Sequence, residues 1–395
     1  MSEFDLRVNR EGLASLKHEF TPPQIRAQDI EAFNAAEMDF STAPCVKKAL
    51  HEMIDRGIFG FTVQTPEYDG RIAWWMKETR DMEIDPRWIV PVMGTIFSVA
   101  TALRMTCEPD GRLIVLSPVY YRYEQAAARM GVETVRVPLK NDGERFSVDF
   151  AALETAMADP KNRLLVLCNP HNPTGNVWPE EDLRKIAALS AKTQTVVLSD
   201  EIFANDAFDG RRVTPYIAIE EGRPYAITCV SLGKSFNYTG VNHADLLIPD
   251  DALRERYVAR KYADHFGSIG PFEYTSIVSA YTPEGLAWQR QSLAYMDGNR
   301  RIVEDFFRTR LAPNKIYPME GAFVGFIEWR GLKLKGEELH SFLEKEAMAV
   351  LEPGDHYAPE YAGYSRINLG STHEQTRALL ERIEAAIARH PEIRV

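Results

Sequence analysis

The chain has 395 residues, 45% hydrophobic and 26% charged, the balance of a globular protein rather than a disordered or fibrous one. At about 150 residues per domain, that length implies two or three domains with ample core. Lys and Arg number 46 against 57 Asp and Glu, a formal charge of −11, and no basic stripe stands out, which argues against a nucleic-acid surface.

The start, MSEFDLRVNREGLASL, is polar and charged and holds no apolar signal core. No segment reaches the roughly 20 apolar residues that cross a bilayer, so a cytoplasmic protein without membrane contact is expected. Strands are predicted at 112–117, 132–138, 163–168, 195–199, 225–231 and 243–249, several as continuous apolar runs suited to strands covered on both faces. Helices are predicted between them at 121–131 and 179–192, the second opening on Pro179, Glu180, Glu181 and Asp182, which suit the positive end of a helix dipole. This β-α-β alternation predicts a mostly parallel sheet flanked by helices. After about residue 284 the pattern changes to a long helix at 286–311, strands at 322–328 and 364–369, and helices at 336–347 and 373–389. The expected division is an N-terminal arm over 1–45 belonging to a small domain, a large domain over 46–285, and a small C-terminal domain over 286–395. The four cysteines, Cys45, Cys107, Cys168 and Cys229, stand far apart without a Cys-x-x-Cys pair, so neither a disulfide framework nor a metal site is expected. His51-Glu52 lacks the second histidine of a zinc protease motif and reads as surface helix.

Five segments carry candidate chemistry. Ser231-Leu232-Gly233-Lys234 places a lysine just after an apolar strand, in a loop of small and hydroxylated residues, and a lysine amine condenses with carbonyl groups. Leu198-Ser199-Asp200-Glu201 follows the apolar run 195–197, where open α/β sheets place their sites; there Asp200 suits a carboxylate that keeps a pyridine nitrogen protonated, or a helix N-cap. The stretch 168–175 holds two Asn-Pro steps and a Gly, a tight loop able to aim the Asn172 amide, or simply a structural turn. Gly94-Thr95-Ile96 opens a helix and offers backbone N–H groups and a hydroxyl to a phosphate. Tyr120 and Tyr121 end another strand, where an aromatic ring stacks on a planar ligand or joins the core. His171 and His356 are candidates for a pocket or for structural roles, and Tyr238, Asn242 and His243 have no assignable role.

In their joint order these segments resemble the fold-type I pyridoxal 5′-phosphate (PLP) enzymes of the class I/II aminotransferase superfamily. The cystathionine β-lyase and cystalysin-like C–S lyase branch is the most similar. The stretches that carry this likeness are Glu37-Met38-Asp39-Phe40, 57–62, 168–175, Lys234-Ser235-Phe236-Asn237, Leu351-Glu352-Pro353-Gly354 and Ser365-Arg366-Ile367-Asn368. The resemblance implies an aspartate aminotransferase-like large domain and a smaller α+β domain. It implies Lys234 as the lysine that joins the cofactor and moves the substrate Cα proton, and Asp200 on the pyridine nitrogen. Asn172 would bond the ring oxygen, Tyr120 would stack on the ring, and Gly94, Thr95, Ile96 and Ser231 would hold the phosphate. Arg366 would hold the substrate carboxylate, with Phe61 and Tyr121 beside the substrate. It also implies a homodimer with shared active sites and cis bonds before Pro118 and Pro173.

Three positions depart from the family pattern. Phe203 stands where a Tyr or His donates to the ring oxygen, and losing that donor raises the pKa of the lysine–cofactor linkage. Phe61 stands where a Tyr reaches the neighbouring subunit's phosphate, and Gly233 where close relatives often have Ser. The leading expectation is β-elimination from a cysteine S-conjugate, giving thiol, pyruvate and ammonia. The alternatives are decarboxylation coupled to oxidative deamination in specialised metabolism such as antibiotic assembly, transamination, or a regulatory or scaffold protein with a vestigial site.

Overall fold

The computed structural model describes every residue except Met1, Glu108, His265 and Ser268. They fall into two units, a large one of Thr42–His171 with Val177–Arg290 and a small one of Met1–Ser41, Asn172–Asn176 and Gln291–Val395.

In the large unit the continuous apolar runs become a seven-stranded sheet. Its strands are β1 (Ile89–Val92), β2 (Arg112–Ser117), β3 (Thr134–Pro138), β4 (Asn162–Cys168), β5 (Val196–Asp200), β6 (Ala226–Val230) and β7 (Ala244–Leu247). The spatial order is β1-β7-β6-β5-β4-β2-β3. All residues of β1, β5, β6 and β7 are buried, as a sheet covered on both faces requires. Leu113, Val115, Leu164, Val166, Leu198, Ile227 and Leu246 form one core with Val99, Leu103 and Tyr257 from the helices. Each such aliphatic side chain contributes about 1.5–3 kcal/mol on burial.

Two features differ from the sequence expectation. Residues 89–92 form a strand that the sequence shows only as an approach to a helix, because four residues are too few to display a period. The expected strand at 243–249 is present as β7 but runs antiparallel to β6 and β1. The link from β6 to β7 holds turns and no helix, and a parallel return needs a crossover of a dozen or more residues, usually helical.

Helix Glu180–Thr193 starts after Pro179 with Glu180, Glu181 and Asp182 in its first turn, buries Leu183, Ile186 and Ala187, and stops at Gln194 in the left-handed region (φ 59°). In the small unit, Lys315–Ile316, Val324–Glu328, Tyr364–Asn368 and Glu352–Pro353 form an antiparallel sheet in that order. Helix His373–Arg389 is capped by the Thr372 hydroxyl, which accepts from Gln375 N–H, and it buries Leu379, Leu380 and Ile383. The expected cis bonds Ser117–Pro118 and Asn172–Pro173 are present, with Asn169–Pro170 and Ala312–Pro313. Among the described residues no helix is long and apolar enough to cross a membrane.

Candidate active site

Because β1, β2, β4, β5 and β6 run one way and β7 the other, residues 93–95, 117–121, 169–171, 200–203, 231–234 and 243 emerge along one edge of the sheet. This is the carboxyl edge, where open α/β sheets hold ligands.

Asp200 is the last residue of the central strand β5, flanked in register by Cys168 on β4 and Cys229 on β6. No helix starts there, so the N-cap alternative does not apply. Its carboxyl group is buried, with Oδ2 accepting from the Tyr123 hydroxyl and Oδ1 from Ile202 N–H at 3.3 Å. Burial pushes Asp200 up to about 6, although Tyr123, Ile202 N–H and the Lys234 charge all act to lower it. A cation placed against this carboxylate would relieve its desolvation, and a protonated pyridine nitrogen is such a cation.

Lys234 lies in the loop after β6 with its Nζ 5.3 Å from the centre of the buried Phe203 ring. A second buried acid, Asp206, reaches the Lys234 field and accepts from the Ser235 hydroxyl at 3.3 Å. Burial raises Asp206 to about 7, with Ser235, Gln289, Lys234 and Arg80 opposing. A folded-state pKa above the unfolded one means that the folded chain keeps the proton longer, so stability falls as pH rises from about 4 to about 7. Asp206→Asn cannot ionise, and its cofactor-free form is expected to match the wild type near pH 4 and exceed it by about 4 kcal/mol at pH 8, at about 1.4 kcal/mol per unit over about three units. Chemical denaturation at both pH values checks this; a pH-independent difference would contradict the assignment.

Gly94 caps helix Thr95–Thr106 at φ 84° and ψ 173°, a conformation that favours glycine, and no side chain caps that end. The N–H groups of Thr95 and Ile96 thus begin a helix at the sheet edge, with the Thr95 hydroxyl 3.7 Å from Cys229 Sγ. The Ser231 hydroxyl donates to the His243 carbonyl at 2.9 Å and accepts from Gly233 N–H at 3.0 Å. A Cβ at Gly233 would sit 3.1 Å from Ser231 Oγ, so the glycine leaves that hydroxyl room. His243 Nε2 lies 2.8 Å from the buried Tyr68 hydroxyl and 3.2 Å from Asp245 Oδ2, which ties this corner to helix Pro66–Arg80. The N–H groups of Thr95 and Ile96 suit a phosphate, the lysine suits an aldehyde and Asp200 suits a pyridinium, so the large unit fits PLP on three counts.

Tyr120 lies just past β2 at the same edge, its ring 5.3 Å from that of Tyr121 and 5.5 Å from that of Tyr123. Phe61 is fully exposed in the segment after helix Pro44–Arg56, with Ile58, Phe59 and Val63 also exposed. His171 is buried and held neutral, its pKa pushed by burial down to about 3. His356 bonds Glu352 at 3.0 Å.

In the small unit the structure brings Asn172 and Arg366 together. Arg366 Nη1 donates to Asn172 Oδ1 at 3.1 Å, Nη2 donates to the Asn34 carbonyl, and the guanidinium lies 5.7 Å from the Tyr357 ring centre. Arg366 is buried on strand Tyr364–Asn368, opposite Glu352, and its Nε has no hydrogen-bond partner. With Asn172 Oδ1 engaged, the amide nitrogen is left as a donor, the orientation a phenolic oxygen requires. Gly175 (φ 76°) lets this loop approach Met319, where a Cβ would lie 3.3 Å from that residue's Cα.

Tyr123 and Asp206 are the site residues that sequence reasoning missed. Tyr123 had a signal, a third tyrosine two positions past the Tyr120-Tyr121 pair, whereas Asp206 had none.

Residues 28–383 match the family model of class I and II aminotransferases. The chain is 29% identical over 386 residues to the cystathionine beta-lyase PatB of Bacillus subtilis, covering 98% of this chain and all of that protein. It is 25% identical over 372 residues to the protein MalY of Escherichia coli, covering 94% and 95%. The PLP-containing crystal structure of cystalysin from Treponema denticola superposes with a TM-score of 0.92 at 27% identity, over 98% of this chain and 99% of that one. The chain belongs to the class I and II aminotransferase family, and the expected fold-type I architecture is the one it adopts.

Proposed function

We propose that this protein is a PLP-dependent C–S β-lyase that acts on a cysteine S-conjugate or a related thioether amino acid. The observation that carries this reading is the buried Asp200 at the end of the central strand, within the electrostatic reach of Lys234. The likeness to cystathionine β-lyase and cystalysin over nearly the whole chain supports the β-elimination.

When bound, PLP supplies an aldehyde for the substrate amine and a ring that withdraws electrons from Cα. Lys234 would be the attachment point and, with its amine free, the base that takes the Cα proton. Asp200 would keep the proton on the ring nitrogen, the Asn172 amide would donate to the ring oxygen, and Tyr120 would pack against the ring. Thr95 and the N–H groups that follow Gly94 would bind the phosphate, joined by Ser231 once its hydroxyl turns from the His243 carbonyl. Arg366 grips the substrate carboxylate by two parallel donors. With a sulfur leaving group on Cβ, loss of the Cα proton would expel a thiolate, and hydrolysis of the three-carbon remainder by one water would give pyruvate and ammonia. Phe203 beside Lys234 offers no O–H, which favours a second reading in which the same group of residues serves decarboxylation and oxidative deamination. Thiol and pyruvate released in equal amounts from S-benzyl-L-cysteine, without oxygen uptake, would establish the lyase; an S-linked aldehyde with oxygen loss would replace it by the second reading.

The exposed run Ile58, Phe59, Phe61 and Val63 is apolar surface that a partner should cover. We assign it to a homodimer of this cytoplasmic enzyme. Phe61→Asp should then sediment as a monomer at concentrations where the wild type is dimeric; an unchanged sedimentation coefficient would remove this face from the interface.

A further inference from the structure

We propose that Tyr123 is a positioning residue for the acid–base partner of the cofactor, its hydroxyl holding Asp200 in one rotamer and keeping it ionised against the ring nitrogen. The inference rests on the reading of Asp200 as that partner. Tyr123 sits in the first turn of helix Arg122–Arg129 and is fully buried, with Ala127 one turn on buried beside it. This amphipathic spacing aims the Tyr123 ring at the sheet, where its hydroxyl donates to Asp200 Oδ2. The ring stands edge-on to Tyr120, at 87° and 5.5 Å, which fixes its orientation.

Three features distinguish this bond from the ordinary pairing of a buried tyrosine. Burial and the Asp200 charge raise the Tyr123 pKa well above its usual value, so the phenol stays protonated and acts toward Asp200 only as a donor. The other direct donor to the carboxylate, Ile202 N–H, stands at 3.3 Å, so Tyr123 makes the closer contact. Asp200 lies between two buried thiols in register, and burial and the Asp200 charge hold the Cys229 thiol protonated as well. The groups around Asp200 are therefore Tyr123, Ile202 N–H, Cys168, Cys229, Glu201 and Lys234. Of these, Tyr123 is a neutral side-chain donor in direct contact, and it stabilises the ionised form without a charge of its own. Lys234, the cation in the group, would change its bonding on joining a cofactor, whereas the Tyr123 hydroxyl is committed to Asp200.

The test uses the full chain. Asp200 is followed by carbon NMR of labelled aspartate in cofactor-free protein, its signal assigned with Asp200→Asn, and PLP affinity is measured across pH. Tyr123→Phe should raise the Asp200 midpoint by about one pH unit, the size of a charge-assisted hydrogen bond, and move the pH dependence of PLP affinity by the same amount. The visible absorbance of the bound cofactor should follow. A fluorinated tyrosine at position 123, a stronger donor of the same shape, should move the midpoint down, which keeps the test decisive if Tyr123→Phe does not fold. If Asp200→Asn binds PLP with wild-type affinity and spectrum, the reading of Asp200 itself fails. If Asp200→Asn alters both while neither change at Tyr123 moves the midpoint, the inference is overturned.

Discussion

Lys234→Ala is expected to lower turnover by at least about 10³-fold and to abolish the visible band of bound PLP, while the chain stays folded. The magnitude follows from the two tasks placed on one amine, attachment of the cofactor and transfer of the Cα proton, the second alone typically worth 10²–10⁴-fold. The fold should tolerate the change because Lys234 is half-buried in a loop, where truncation removes contacts with the Phe203 ring rather than a core side chain. Steady-state kinetics, absorbance and circular dichroism of the purified variant check the three parts. A variant with near-wild-type turnover would show that another group moves the proton. A wild-type protein with no visible band after PLP is added would remove the cofactor assignment, and a scaffold would keep its partner in both forms.

Arg366→Lys should cost roughly 10²-fold in kcat/KM, with most of the change in KM, although the charge is retained. Lysine presents a point charge where arginine presents a planar fork, and a two-point grip on a carboxylate loses one charge-assisted bond of about 1.5–3 kcal/mol. The same substitution releases Asn172 Oδ1, so the amide can rotate and its donor is no longer fixed. The buried Nε, without a hydrogen-bond partner among the described residues, would be a donor open to the substrate carboxylate. The amine isostere of the substrate, which lacks the carboxylate, should bind wild type and variant alike. Equal losses for substrate and isostere would point to damage of the fold and contradict the grip.

The sequence was most legible where chemistry and strand ends coincide. Lys234 and Asp200 each follow an apolar run that reads as a strand, and that placement alone puts them at one edge of a parallel sheet, whereas Gly94 joins them only because the unread strand 89–92 runs the same way. The long helices were legible because their period persists over many residues, as in Pro283–Thr309 and His373–Arg389. The reversed direction of β7 was not, since strand direction is set by connection length and pairing rather than by side-chain pattern. Tyr123 reads in sequence as one of several amphipathic helix residues, and only the packing of its helix shows that its hydroxyl meets Asp200. Asp206 follows Asn205 in a stretch with no period, so nothing in the residues says that its carboxyl is buried. Segment 172–176 groups with the small unit while its flanking residues belong to the large one, and a division by composition has no means to find that.

The central claim, β-elimination rather than loss of the carboxyl group, is tested most directly by following one carbon. S-Benzyl-L-cysteine carrying a ¹³C label at its carboxyl carbon would be turned over in air by the PLP-loaded enzyme, and the products separated by mass spectrometry. The account predicts that the label stays in pyruvate, in equal amount with benzyl thiol. Label recovered as carbon dioxide, with the sulfur still joined to a two-carbon aldehyde, would contradict it and place Phe203 at the centre of a different reaction.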